Sequence, residues 1–121
     1  MDVITTEFAK AINQLESALN SPKNDLSRDA SIQRFEFTVE LAWKTAKKVM
    51  STTSSTPRQV VREMGQAGMI DDVSFWFLAL ENRNLSSHTY KEELAEKVYD
   101  FAKGFCEEAK KLLVKLEAEI K

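Results

Sequence analysis

The chain has 121 residues, 43% of them apolar and 30% charged, with 17 Lys and Arg set against 19 Asp and Glu for a formal charge of −2. That length suits one domain with one core, and the mild acidity excludes a surface that is basic all round, so any nucleic-acid site must be local. Three Gly and two Pro leave little room for hairpins, which favours an all-α fold and a single helical domain over residues 1–121.

Ile4, Phe8, Ala11, Leu15 and Leu19 recur at three- and four-residue steps and predict an amphipathic first helix ending near "NSPKND". A second, long helix is predicted from about Leu26 to Met50, with Ile32, Phe35, Val39, Ala42, Trp43, Ala46 and Met50 on its buried stripe. Arg34, Phe37, Leu41, Lys44 and Lys48 share a neighbouring face of that helix. Two large apolar side chains among cations fit either a wide stripe touching two helices or a protein interface.

"STTSST" breaks the pattern, because hydroxyl side chains compete for backbone hydrogen bonds. Thr56 as N-cap, Pro57 at the first position and Gln59 completing a capping box open a short third helix, which Gly65 and Gly68 end. Asp71 or Asp72 caps a fourth, "VSFWFLALEN", stopping within "RNLSS" with Val73, Trp76, Phe77 and Leu80 inward. The last helix is predicted to start with Thr89 as N-cap and Glu92 in a capping box, and to run almost to the C-terminus. Gly104 inside it would be explained by a close helix crossing. The expected architecture is an antiparallel four-helix bundle with an additional short helix.

Cys106 is the only cysteine, cannot form an internal disulfide, and reads as a small core residue in a reducing compartment, with cytoplasm the expected location. The opening "MDVITTEF" carries an acid where a signal peptide needs basic residues, and the longest apolar run is the hexamer "FWFLAL", so no membrane association is expected. One His and one Cys do not supply the ligand set typical of zinc. Neither a metal nor a cofactor is expected.

The stretch "RNLSSHTY" puts Arg83 near the end of the fourth predicted helix and His88 just before the last. A helix N-terminus attracts phosphate, Arg83 can add a bidentate fork, and Ser86, Ser87 and Thr89 can add hydroxyl donors. A free imidazole titrates near neutrality and can move protons. Those parts suit metal-free RNA cleavage, with one histidine per chain supplying half of an acid–base pair and a symmetric dimer supplying both halves. The plainer alternative has Arg83 binding a carboxylate such as Glu81 or Glu40 and His88 satisfying loop carbonyls. Lys44, Lys47, Lys48, Arg58 and Arg62 lie in a segment without an acid between Lys44 and Arg62, either an RNA track or a solvated basic face.

The spacing Arg83-Asn84-x-x-x-His88-x-Tyr90 resembles the Arg-x(4–6)-His signature of HEPN domains in the variant that continues to His-x-Tyr. "RFEFTVELAWKTAKK", "TPRQVVREMGQAGMID" and "WFLALENRNLSSHTY" resemble the nucleotidyltransferase substrate-binding-protein branch of that family, whose HepT-like members are toxins of toxin–antitoxin pairs. The resemblance implies a dimeric helical bundle that partners a minimal nucleotidyltransferase. It implies a metal-independent ribonuclease with Arg83 and His88 catalytic, Asn84 and Ser87 supporting, and Tyr90 accepting AMP as the silencing modification. It equally covers a silent subunit that binds a substrate or nucleotide for its partner.

Overall fold

The computed structural model of the chain describes residues 3–120, so Met1 and Asp2 of the acidic opening, and Lys121, lie outside the described residues. Five α-helices and one 3-10 turn make up the fold, with no strand among the described residues: α1 (Val3–Asn20), α2 (Asp25–Met50), α3 (Pro57–Gln66), α4 (Val73–Leu85), the turn Ser86–His88, and α5 (Glu92–Ile120). None of the helices is long and apolar enough to cross a membrane.

In α1 the expected stripe is buried at Phe8, Ala11 and Leu15, joined by Ile12, whereas Ile4 is exposed and lines a surface groove. The start of α2 is set by a capping box that the sequence reading missed. Asn24 Oδ1 accepts the Ser27 N–H at 2.8 Å, and Ser27 Oγ accepts the Asn24 N–H at 2.9 Å. The helix ends where Ser51 turns left-handed at φ 54°, and the following segment folds back as Ser54 and Thr52 both donate to the Glu63 carboxylate. These two hydroxyls hold Glu63 below its ordinary carboxylate range.

Thr56 caps α3 by accepting the Gln59 N–H at 3.3 Å, but the Gln59 side chain accepts from Arg62, so only half of the expected box forms. Asp72, not Asp71, caps α4 through the Phe75 N–H at 3.0 Å. The close helix contact falls at a different glycine from the one expected. A Cβ on Gly65 would lie 2.4 Å from Val73 Cγ2, where α3 meets α4, while Gly104 is exposed with open space where its Cβ would be.

Phe35 of α2 packs edge-on against Phe101 and Phe105 of α5, and Trp76 of α4 meets Phe105 with ring centroids 5.2 Å apart. Near the other end of that contact Arg28, 5% exposed, pairs with Glu92 and Asp29. The pairings of residue 28 with 92 and of 35 with 101 and 105 advance together, so α2 and α5 run side by side in one direction. The opposite sense of α1 follows from Thr38 reaching the Ala11 carbonyl and Arg34 reaching Gln14. Lys110 of α5 closes the bundle by binding Glu16 of α1.

Candidate functional site

Helix α4 stops within "RNLSS" as expected, at Leu85, and tightens into the turn Ser86–His88. Its hydroxyls explain that. Ser86 Oγ donates to the Arg83 carbonyl, Ser87 Oγ to the Asn84 carbonyl at 3.0 Å, and Thr89 Oγ1 to the Ser86 carbonyl at 3.1 Å. A hydroxyl has one proton to give. The expectation that Ser86, Ser87 and Thr89 offer free hydroxyl donors is therefore corrected: Ser86 and Ser87 satisfy two carbonyls in the last turn of α4, Thr89 satisfies one in the turn that follows, and together they hold the elbow in shape.

A second correction concerns α5, which begins at Glu92, three residues beyond the expected cap Thr89. Glu92 and Glu93 occupy its first turn, and Glu92 is bound in turn by Arg28. The positive end of the helix is thus met by its own carboxylates rather than left open for phosphate. His88 and Tyr90 project from the elbow. Tyr90 is 78% exposed and not the half-buried aromatic that a helix start allows, and its ring stands 6.1 Å from the His88 ring, nearly edge-on.

Arg83, in the last turn of α4, has its Nε buried 2.5 Å from Glu40 Oε1 of α2. The N–H is not in line with the oxygen, so the contact is an ion pair rather than an aligned hydrogen bond. Glu40 Oε2 lies 3.5 Å from Lys44 Nζ. The plainer sequence alternative for Arg83, a carboxylate partner, is realised at Glu40.

Arg83 faces two clefts. The first, about 550 Å³, is lined by Arg58, Arg62, Arg83 and Asn84 together with Glu40 and Glu81. The second, about 510 Å³, is lined by Arg83, Glu40, Lys44, Phe37 and Leu41. A third groove of about 750 Å³ continues from Leu41 and Lys44 to Lys47, Lys48 and Trp43. The first two clefts share Glu40 and Arg83, and the second and third share Leu41 and Lys44. The fold thus unites Arg83, Asn84, Arg58 and Arg62 on one cleft, puts Lys47 and Lys48 on the third groove, and leaves His88 and Tyr90 outside both clefts of Arg83.

Phe77 escaped the sequence reading as a site residue, having been assigned to the core. Its ring carries two guanidiniums, with Arg58 Cζ at 4.3 Å and Arg62 Cζ at 5.6 Å from its centroid. Helical spacing shows that Arg58 and Arg62 share a face, but it does not say which ring of another helix lies beneath them. Cys106 lies in the core at 2% exposure, and burial pushes its thiol up to about 11, which keeps it protonated and unreactive.

Residues 5–118 match the family model described as nucleotidyltransferase substrate binding protein like. A Haemophilus influenzae protein named "Probable ribonuclease HepT" is 33% identical over 94 residues, which are 71% of this chain and 64% of that relative's length. A crystal structure of a Thermus thermophilus protein superposes with a TM-score of 0.85 at 26% identity, covering 90% of this chain and 98% of that one. The chain therefore belongs to the nucleotidyltransferase substrate-binding-protein-like family, within the HepT-like group of HEPN domains.

Proposed function

We propose that the chain is a metal-independent endoribonuclease subunit whose activity a nucleotidyltransferase partner controls. The observation that carries this reading is the gathering of Arg83, Asn84, Arg58 and Arg62 on one cleft beside the elbow that exposes His88 and Tyr90. The name of the Haemophilus influenzae relative supports it. An imidazole removes the 2′-hydroxyl proton of RNA, and the 2′-oxygen attacks the adjacent phosphorus. The 5′-oxygen leaves with a proton from a second acid, and a 2′,3′-cyclic phosphate and a 5′-hydroxyl remain. Arg83 stabilises the charge that builds on the phosphorane, and Asn84 supports it.

Each chain has one histidine, so the second proton-transfer group comes from a second copy. The half-exposed Phe37 beside Leu41 and Arg83 supplies an apolar contact close to the motif for such a dimer. Tyr90, open to solvent next to the His88 ring, is the acceptor for AMP. An adenylate there adds a negative charge and bulk that repel and block an RNA phosphate.

The test is to incubate the purified protein with single-stranded RNA in chelator beside His88→Ala and Arg83→Ala. Wild type cuts and leaves cyclic phosphate ends, while each variant loses at least ~100-fold in rate. Intact RNA in every tube would instead favour a second reading, a subunit that binds a substrate or nucleotide for its partner without cutting it. That reading draws on one observation: Arg83 is held by Glu40, in clefts that His88 does not line.

A further inference from the structure

Arg58 and Arg62 stand one turn apart on α3, where like charges at that spacing cost a helix stability. Both guanidiniums nevertheless lie over the single ring of Phe77 on α4. No carboxylate among the described residues forms an ion pair with either of them. Arg83, on α4, lines the same cleft, with its Nε engaged by Glu40. Three planar cations thus line about 550 Å³ of open space, within the ~300–1,000 Å³ of small-ligand sites. Of the two carboxylates there, Glu40 is taken by Arg83 and Lys44, while Glu81 is exposed and forms no ion pair among the described residues.

We infer that this cleft is a phosphate seat, in which Arg58 and Arg62, held side by side on Phe77, grip a phosphoryl group of a nucleotide next to the group that Arg83 engages. An oxyanion between the guanidiniums replaces their mutual repulsion with charge-assisted hydrogen bonds, for which the planar fork is shaped. The Phe77 ring holds both forks before the anion arrives, so less ordering is lost on binding. Glu81 opposes the anion and sets the affinity of the seat below its limit. The inference rests on the proposed ribonuclease reading only for the role of Arg83, since an anion is gripped here whether or not it is cut.

Two ligands carry this chemistry, an RNA backbone and a free nucleoside phosphate, and two arms of one experiment separate them. The anisotropy of a labelled, uncleavable 2′-O-methyl RNA is followed against protein over a salt series, with adenosine 5′-monophosphate as competitor. Arg58→Ala and Arg62→Ala each weaken binding at least ~5-fold and flatten the salt slope by about 0.7. Phe77→Leu weakens it with the charge unchanged, Glu81→Gln tightens it, and Lys115→Ala, on an exposed stretch of α5, leaves it alone. Competition by the mononucleotide identifies a seat for free nucleotide as well as RNA. Its absence assigns the seat to phosphodiesters.

Affinity and salt slope unchanged in both arginine variants would overturn the inference, as would a wild type that binds neither probe. If the arginine variants bind more weakly but no RNA is ever cut, the seat stands and the ribonuclease reading falls. If they cut and bind like wild type, the ribonuclease reading stands and the seat falls.

Discussion

Glu40 and Glu63 show how one residue type serves different ends depending on which donors reach it. Glu40 takes two cations from its surroundings, Arg83 and Lys44, and so fixes the Nε edge of the motif arginine. Glu63 takes two hydroxyls, those of Ser54 and Thr52, and ties the link between α2 and α3 to α3. Hydroxyl donation favours the ionised carboxylate and depresses its folded pKa. The stability it adds is therefore fully present above the ordinary glutamate value, about 4.3, and is lost as pH falls through the lower folded value. Thermal melts of wild type and Glu63→Gln from pH 7 to pH 3 are expected to show wild type ahead near neutrality and the gap closing below about pH 4. A gap that widens in acid would contradict the latch.

The glycines separate the helices at the scale of the element. In the interior of α5, Gly104 meets nothing within 4 Å of an added Cβ, so Gly104→Ala gains helix propensity without a clash and stabilises by roughly 0.5–1 kcal/mol. Gly65 also lies within a helix, yet its added Cβ would be 2.4 Å from Val73 Cγ2. Gly65→Ala must push α3 and α4 apart, a cost on the order of 1–3 kcal/mol that outweighs the propensity gain. Chemical denaturation of the two variants should move the midpoints in opposite directions. Because α3 carries Arg58 and Arg62 and α4 carries Arg83, the alanine at 65 should also weaken the arginine cleft. An alanine at 104 should not.

For the whole molecule, the proposed function gives one chain only half of an acid–base pair. The elbow carries His88 and Tyr90 on the surface, and the half-exposed Phe37 lies with Leu41 and Arg83 on one cleft. Under the proposed function a second copy covers that apolar cleft and brings its own elbow to the site. Phe37→Asp, at a position already 51% exposed, should leave the monomer folded and lower the sedimentation mass from two chains to one. Cleavage should fall with it. An active monomer would refute the shared site and leave the arginine cleft to act alone.

The sequence by itself determined the helices, because their apolar rhythm and polar caps are local: the interruption at "STTSST", the Thr56 cap, an aspartate cap at 71 or 72 and the run of α5 all follow from neighbours a few residues apart. It also determined the family, through the spacing of Arg83, His88 and Tyr90 and the segments around them. The caps of α2 and α5 were harder to read, since Asn24 works through a serine where a glutamate is usual, and the hydroxyls of "SSHT" serve the end of α4 and its closing turn rather than α5. Only the tertiary structure decided the surroundings of the motif: Glu40 on Arg83, Phe77 beneath Arg58 and Arg62, and Val73 against Gly65. Those contacts join different helices, and the packing angle that selects one ring or one carboxylate over its neighbour is set by the whole core rather than by any local pattern.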